Sequence, residues 1–223
     1  VVGRADESEL AEDDGAVRRV RAGERVELGW DGSTRARYVA LRGGIDVPVV
    51  LGGRGTLVSA RLGGLEGRAL RKGDVIRSAS DTGAAPALAS GSASGAAIRL
   101  LPGPDLARFA PGALDALLGT GWSLSPRSDR TGTRLVGTAI AYRRGAPDAR
   151  TTPMIAGAIE LPPSGEPIVL GPDHPTTGGY PVVAVIARVD LGRFHAIALG
   201  REVRFGSVDA QSARALWRER SAR

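Results

Sequence analysis

Glycine and proline break this chain into pieces too short for most helical architectures: 32 glycines and 14 prolines fall among 223 residues. Between them lie short runs of alternating apolar and polar residues, the pattern of strands with one buried face. Such punctuation points to a sandwich or a barrel. Residues 167–170 (Pro-Ile-Val-Leu) and the apolar run 182–187 read as buried strands. Helix is expected in two places only. In the first, Asp105 is placed to cap a short turn and Pro111 opens a helix over 112–118. The second covers 209–223, where Ala213, Leu216 and Trp217 share a face and arginines take the other.

A short phrase recurs at 20–29, 70–76 and 197–206: an apolar residue, a glycine three positions on, charged residues, then a strand-like run. In it Val26 and Leu28, or Val203 and Phe205, fall on one face. Chance reuse of turn chemistry and two related small barrels both produce this spacing. Ala, Ser and Gly crowd out large residues over 80–97, which reads as a linker. Residues 1–92 are therefore expected to form a first β subdomain ending in that linker, and 93–223 a second one with the C-terminal helix.

Charge and composition exclude several functions. Cysteine is absent, so thiol nucleophiles, thiolate metal sites and redox switching are ruled out. The net charge is +6, carried by arginines spread along the whole chain, with Lys72 the single lysine. Nucleic-acid binders gather basic residues on one face, so this scatter argues against that partner. No apolar run reaches the ~20 residues of a membrane span, and no signal segment follows Val1. A cytoplasmic protein with no membrane partner is expected.

Three polar clusters could carry chemistry. Residues 173–181 (Asp-His-Pro-Thr-Thr-Gly-Gly-Tyr-Pro) offer hydroxyls, bare backbone amides and an aromatic wall between two strands. They suit a ligand ledge, although Gly-Gly is equally an ordinary hairpin turn. His174 could act as a general base oriented by Asp173. With His195 as the only other histidine, the spacing fits no zinc motif. Residues 125–132 (Ser-Pro-Arg-Ser-Asp-Arg-Thr-Gly) place Arg127 and Arg130 around Asp129, with Arg134 beyond. Arginine forks grip carboxylate or phosphate, and a surface Asp–Arg turn has the same composition. The third cluster, 42–56, lacks the Gly-Lys-Ser/Thr of a phosphate loop. Glu66, set between glycines, reads as a carboxylate that ties down a turn by accepting backbone N–H groups.

Five of these stretches, at 38–48, 63–68, 101–104, 125–130 and 176–181, occur in an order that resembles the biotin-dependent carboxyltransferase-like family. This is the family of the 5-oxoprolinase C-subunit, KipA and the second allophanate hydrolase subunit, and the likeness runs over about residues 15–206. It implies a cyclophilin-like β-barrel architecture in two subdomains, with a few short helices. It also implies a KipI-like partner and a third subunit, which together open 5-oxoproline to glutamate using ATP at a partner subunit. The alternatives within the family are a domain that carboxylates urea or another amide, and a KipA-like binding protein without catalysis. On this resemblance Arg127, Asp129 and Arg130 form the catalytic set. Arg54, His174, Thr176, Thr177, Gly178, Gly179 and Tyr180 bind the small amide substrate, with no metal. Lys72 lacks the Met-Lys context of a biotinyl site, so no covalent cofactor is expected. The family's usual N-terminal stretch has no counterpart here. The segment at 52–56 lacks two usual hydroxyls, and His174-Pro175 replaces a frequent Arg-Gln.

Overall fold

A computed structural model describes residues 8–11, 17–21, 23–27, 32, 34–36, 39–41, 43–80, 96–145 and 150–221. The middle of the expected linker, at 81–95, lies outside these residues, as do Leu28, Tyr38 and Arg42. The chain divides into two compact units, Val1–Gly29 with Arg37–Ser90, and Trp30–Ala36 with Gly91–Arg223. Among the described residues no helix is long and apolar enough to cross a membrane.

In the first unit β1 (Ser8–Ala11) pairs antiparallel with both β2 (Val17–Val20) and β3 (Ala40–Leu41). Val20 and Val26 are buried there, with Val39 and Leu41 against them. Beyond these come turns and one small hairpin, β4 (Thr56–Leu57) with β5 (Leu62–Gly63). The expected strand within 70–76 is absent. Arg68 grips Asp74 with both Nη atoms (2.7 and 2.9 Å), and the Arg71 amide donates to the same carboxylate at 2.6 Å. That closes a turn where the phrase suggested extension, and Val75 and Ile76 are left exposed. Glu66 takes the Arg68 guanidinium at 2.9 Å rather than backbone amides.

The second unit is built on one eight-stranded sheet. Its strands are β6 (Ile98–Pro102), β7 (Trp122–Leu124), β8 (Gly132–Val136), β10 (Ala158–Glu160), β11 (Ile168–Leu170), β13 (Val182–Ile186), β14 (Glu202–Val203) and β15 (Phe205–Ser207). Alternation fixes the faces: Trp122 and Leu124 point in and Ser123 out, while Thr133 and Leu135 point in and Arg134 and Val136 out. The order is β14-β7-β8-β11-β10-β13-β6-β15, and only Arg204 separates the strands at its two ends. One segment thus pairs antiparallel with β7 at Val203↔Trp122 and parallel with β6 at Phe205↔Ile98. The sheet curls until a single strap nearly closes it into a barrel. The barrel is filled by Phe109, Leu117, Trp122, Leu124, Leu135, Ile159, Val183, Phe194 and Phe205. The Trp122 indole N–H donates to the Leu117 carbonyl at 2.9 Å, so its polar atom is satisfied inside the core.

Among the described residues three α-helices accompany the sheet, where two were expected. Helix α1 (Ala113–Gly119) follows Pro111, and α3 (Ala210–Ser221) begins where Asp209 accepts the Ser212 amide at 2.9 Å. Helix α2 (Leu191–Ala196) is the addition. Its sequence, Leu-Gly-Arg-Phe-His-Ala, has little helical preference of its own, but Phe194 is fully buried in the barrel. At its start Asp190, also fully buried, accepts the Arg99 amide (3.0 Å), Arg99 Nε (2.7 Å) and Nη2 (2.8 Å), and Arg193 Nη1 (2.9 Å). This carboxylate pins the helix to β6.

Candidate functional site

Two of the three polar clusters meet in the second unit. Strands β8 and β11 pair at Gly132↔Leu170, so the loop entering β8 and the loop leaving β11 emerge side by side. The Gly171 amide donates to Thr131 O at 2.8 Å and the Asp173 amide to Arg130 O at 3.1 Å. Gly171 is required here, because a Cβ would stand 2.0 Å from the Arg130 carbonyl oxygen. Across the junction Arg130 donates Nε and Nη2 to the two oxygens of Asp173 at 2.6 and 2.9 Å. That fork holds the Asp173 carboxyl below its ordinary value.

The remaining predicted residues take different places. Asp129 accepts the amides of Thr131 (2.8 Å) and Gly132 (3.1 Å) on one oxygen, so it shapes the turn that presents Arg130. Arg127 is exposed, and its guanidinium bonds no described residue. His174 is not oriented by Asp173, whose oxygens are taken by Arg130; instead its Nδ1 lies 2.7 Å from the Pro175 carbonyl. Arg54 belongs to the first unit, where its Nε donates to Val47 O at 3.2 Å.

The Gly-Gly segment is not a tight hairpin turn. Neither Gly178 nor Gly179 has a positive φ. Thr177–Gly178 forms β12, a short strand paired antiparallel with β9 (Thr152–Pro153), and the Met154 amide donates to Thr176 O at 3.0 Å. A Cβ at Gly178 would lie 2.8 Å from the methyl of the flexible Met154 side chain, so the strand passes close over that residue. Thr176, Thr177 and Gly179 are exposed, and Tyr180 is 45% exposed. The strand that follows is anchored by Asp105, which accepts the Val182 amide at 2.9 Å.

One group escaped the sequence reading. Glu160 ends β10 at a register shift against β13 and is partly buried; burial raises its carboxyl above the ordinary range. Tyr142, whose phenol burial also raises, donates to the Leu161 carbonyl and lies within electrostatic reach of Glu160 and Tyr180. The lone carboxylate in the apolar run 157–162 (Gly-Ala-Ile-Glu-Leu-Pro) was the available signal. The second unit thus offers the exposed Arg127, the Arg130–Asp173 ion pair, hydroxyls on a short strand, and a partly buried carboxyl raised above its ordinary range. Among the described residues no three His, Asp or Glu side chains come together as a metal site.

Residues 6–207 match the family model of the carboxyltransferase domain, subdomain A and B. The chain belongs to that family. Among carboxyltransferase-domain proteins it is 36% identical over 197 residues to the 5-oxoprolinase C-subunit of Escherichia coli K12, covering 87% of this chain and 63% of that protein. It is also 29% identical over 231 residues to urea amidolyase of Lachancea kluyveri, covering 89% of this chain and 12% of the relative. The chain therefore spans less than two thirds of the length of these relatives. The crystal structure of the Kluyveromyces lactis urea amidolyase shares the fold with a TM-score of 0.84 at 24% identity, over 97% of this chain and 15% of that one. The mainly β, cyclophilin-like architecture expected from the resemblance is the one found.

Proposed function

We propose that this carboxyltransferase-domain chain is a subunit of an ATP-dependent amidohydrolase of the 5-oxoprolinase type. In this reading it works with a KipI-like subunit and a third subunit to open 5-oxoproline to glutamate, and ATP is used at a partner. The observation that carries the proposal is the junction of the two loops, which ties Arg130 to Asp173 on the segment that runs on into β12 and Tyr180. A cyclic amide with a carboxylate needs an anion partner and donors for the oxyanion that forms as the C–N bond opens. Arg130 and Arg127 suit the first task, and Tyr180, Thr177 and the backbone of Gly178 and Gly179 suit the second. Arg130 is ion-paired with Asp173, so substrate carboxylate would exchange with an existing partner rather than meet a bare charge.

The test is co-expression with the KipI-like and third subunits, followed by measurement of ATP-dependent 5-oxoproline loss. Arg130→Ala should lower kcat/KM by about 100-fold and Tyr180→Phe by about 10-fold, in line with the loss of one transition-state donor. Unfolding curves should match the parent. Unchanged turnover in both variants removes these residues from the site. Tight partner binding with no turnover in the complete complex overturns the enzymatic reading in favour of a KipA-like regulator.

A further inference from the structure

A second polar group in the same unit lies beside α2. Arg35 runs along the segment that leaves this helix. Its amide donates to Ala196 O at 2.9 Å and its Nε to Ile197 O at 3.3 Å. Its Nη1 donates to Thr133 Oγ1 at 2.7 Å, and Thr133 is fully buried. The guanidinium carbon lies 5.9 Å from the centre of the Phe194 ring, and the His195 ring centre is 5.4 Å from the same ring. Thr34 bridges to Ile197 across the pair.

Three atoms of this group are buried without a partner: Arg35 Nη2, His195 Nε2 and Thr34 Oγ1. Buried polar atoms are nearly always paired, and a buried guanidinium ordinarily has a carboxylate. Here neither Arg35 nor His195 has an acidic partner among the described residues. After burial, the influences that hold His195 below its ordinary value are the positive charges of Arg35 and Arg130. Thr133, having accepted from Arg35, still has its own hydroxyl proton to give. The set therefore carries the uncompensated charge of Arg35 and more donor-capable atoms than acceptors. Water would satisfy the donors and leave the charge uncompensated, whereas an anion does both. With Nε and Nη1 already engaged, the donors left to it suit only a few atoms of ligand.

We propose that Thr34, Arg35, Thr133 and His195 form a binding site for a small oxyanion of the carboxylate or bicarbonate class, held by Arg35 Nη2 and His195 Nε2. The site does not depend on which amide, if any, the chain helps to open.

The presence of only two histidines makes the test direct. The imidazole signals of His195 and His174 are followed by NMR against pH on the full chain. Acetate, bicarbonate and inorganic phosphate are titrated separately, with chloride keeping ionic strength fixed. A bound anion should raise the His195 pKa by about one unit or more, saturably, as an opposite charge within contact distance does. Arg35→Met should abolish the His195 shift. Acetate and bicarbonate acting more strongly than phosphate supports the planar oxyanion class; phosphate acting alone overturns it. If Arg35→Met does not fold, Thr133→Val and His195→Gln are compared by thermal shift. Both should lose the stabilisation that acetate gives the parent. Equal responses of the two histidines, no saturable response to any anion, or undiminished stabilisation in both variants overturns the site.

Discussion

Replacing Asp190 with Asn tests the most heavily bonded buried group of the barrel. Burial alone would raise this carboxyl, but the bonds from Arg99 and Arg193 prevail and bring it to about 2, from an ordinary 3.8. At about 1.4 kcal/mol per unit, that depression is linked to roughly 2.5 kcal/mol of stability. The sign is that of a lowered acid. The contribution is complete above pH 4 and is lost as pH falls through 2. Asn keeps the shape but accepts fewer bonds and leaves two guanidinia without their counter-charge. Arg99 and Arg193 side chains are 30% and 15% exposed, so both can partly rehydrate. A loss near the lower end for a broken buried pair, about 3 kcal/mol, is therefore expected at pH 7. For a chain of this size that is about 6–12 °C in Tm. Urea unfolding of parent and variant, followed by tryptophan fluorescence from pH 7 to pH 2.5, reads the gap directly. It should narrow steadily below pH 4. A gap under 1 kcal/mol at pH 7, or one that stays constant into acid, would refute the assignment of stability to this carboxylate.

Two further perturbations follow from the same reasoning. Glu160→Gln should raise the stability of the fold at pH 7 and have no effect at pH 3. A carboxyl raised by burial favours folding only below its unfolded value and loses that benefit as pH rises through the folded one, so urea midpoints at both pH values decide the matter. Gly171→Ala should cost about 1–3 kcal/mol, because its Cβ must push the 125–134 and 171–174 loops apart at the Arg130 carbonyl. Any activity that depends on Arg130 should fall with it, and an unchanged urea midpoint would show that the loops yield freely.

The strands of the barrel were legible because their signal is local. Residues 168–170 and 182–186 lie in apolar runs bounded by glycine and proline, and pairing merely places them. Helix α2 was not legible, since its stability comes from Phe194 filling the barrel and from Asp190 holding Arg99, a partner 91 positions away. The strand expected in 70–76 failed for a related reason: Arg68 captures Asp74 and closes a turn that hydrophobic pattern alone does not reveal. At the site, composition identified the two loops that meet but not the pairing within them. Arg130 chose Asp173 over Asp129, and Asp173 chose Arg130 over His174, because strand register set which side chains came within reach. His195, whose spacing fits no metal motif, is partly buried within electrostatic reach of Arg35, with its Nε2 shielded from solvent.

The strap that joins both rims of the barrel has a consequence for biosynthesis. Residues 202–207 are translated after every other strand of this sheet, and they pair with its two outer strands at Trp122 and Ile98. A nascent chain can assemble β6 to β13 and still present two unpaired rims until this segment leaves the ribosome. At about 5–20 residues per second, that window lasts for seconds, and exposed rims of this kind recruit strands from neighbouring chains. The order of synthesis therefore makes the barrel dependent on its final strand, and any stall before residue 202 leaves a species primed to exchange strands with its neighbours on a polysome.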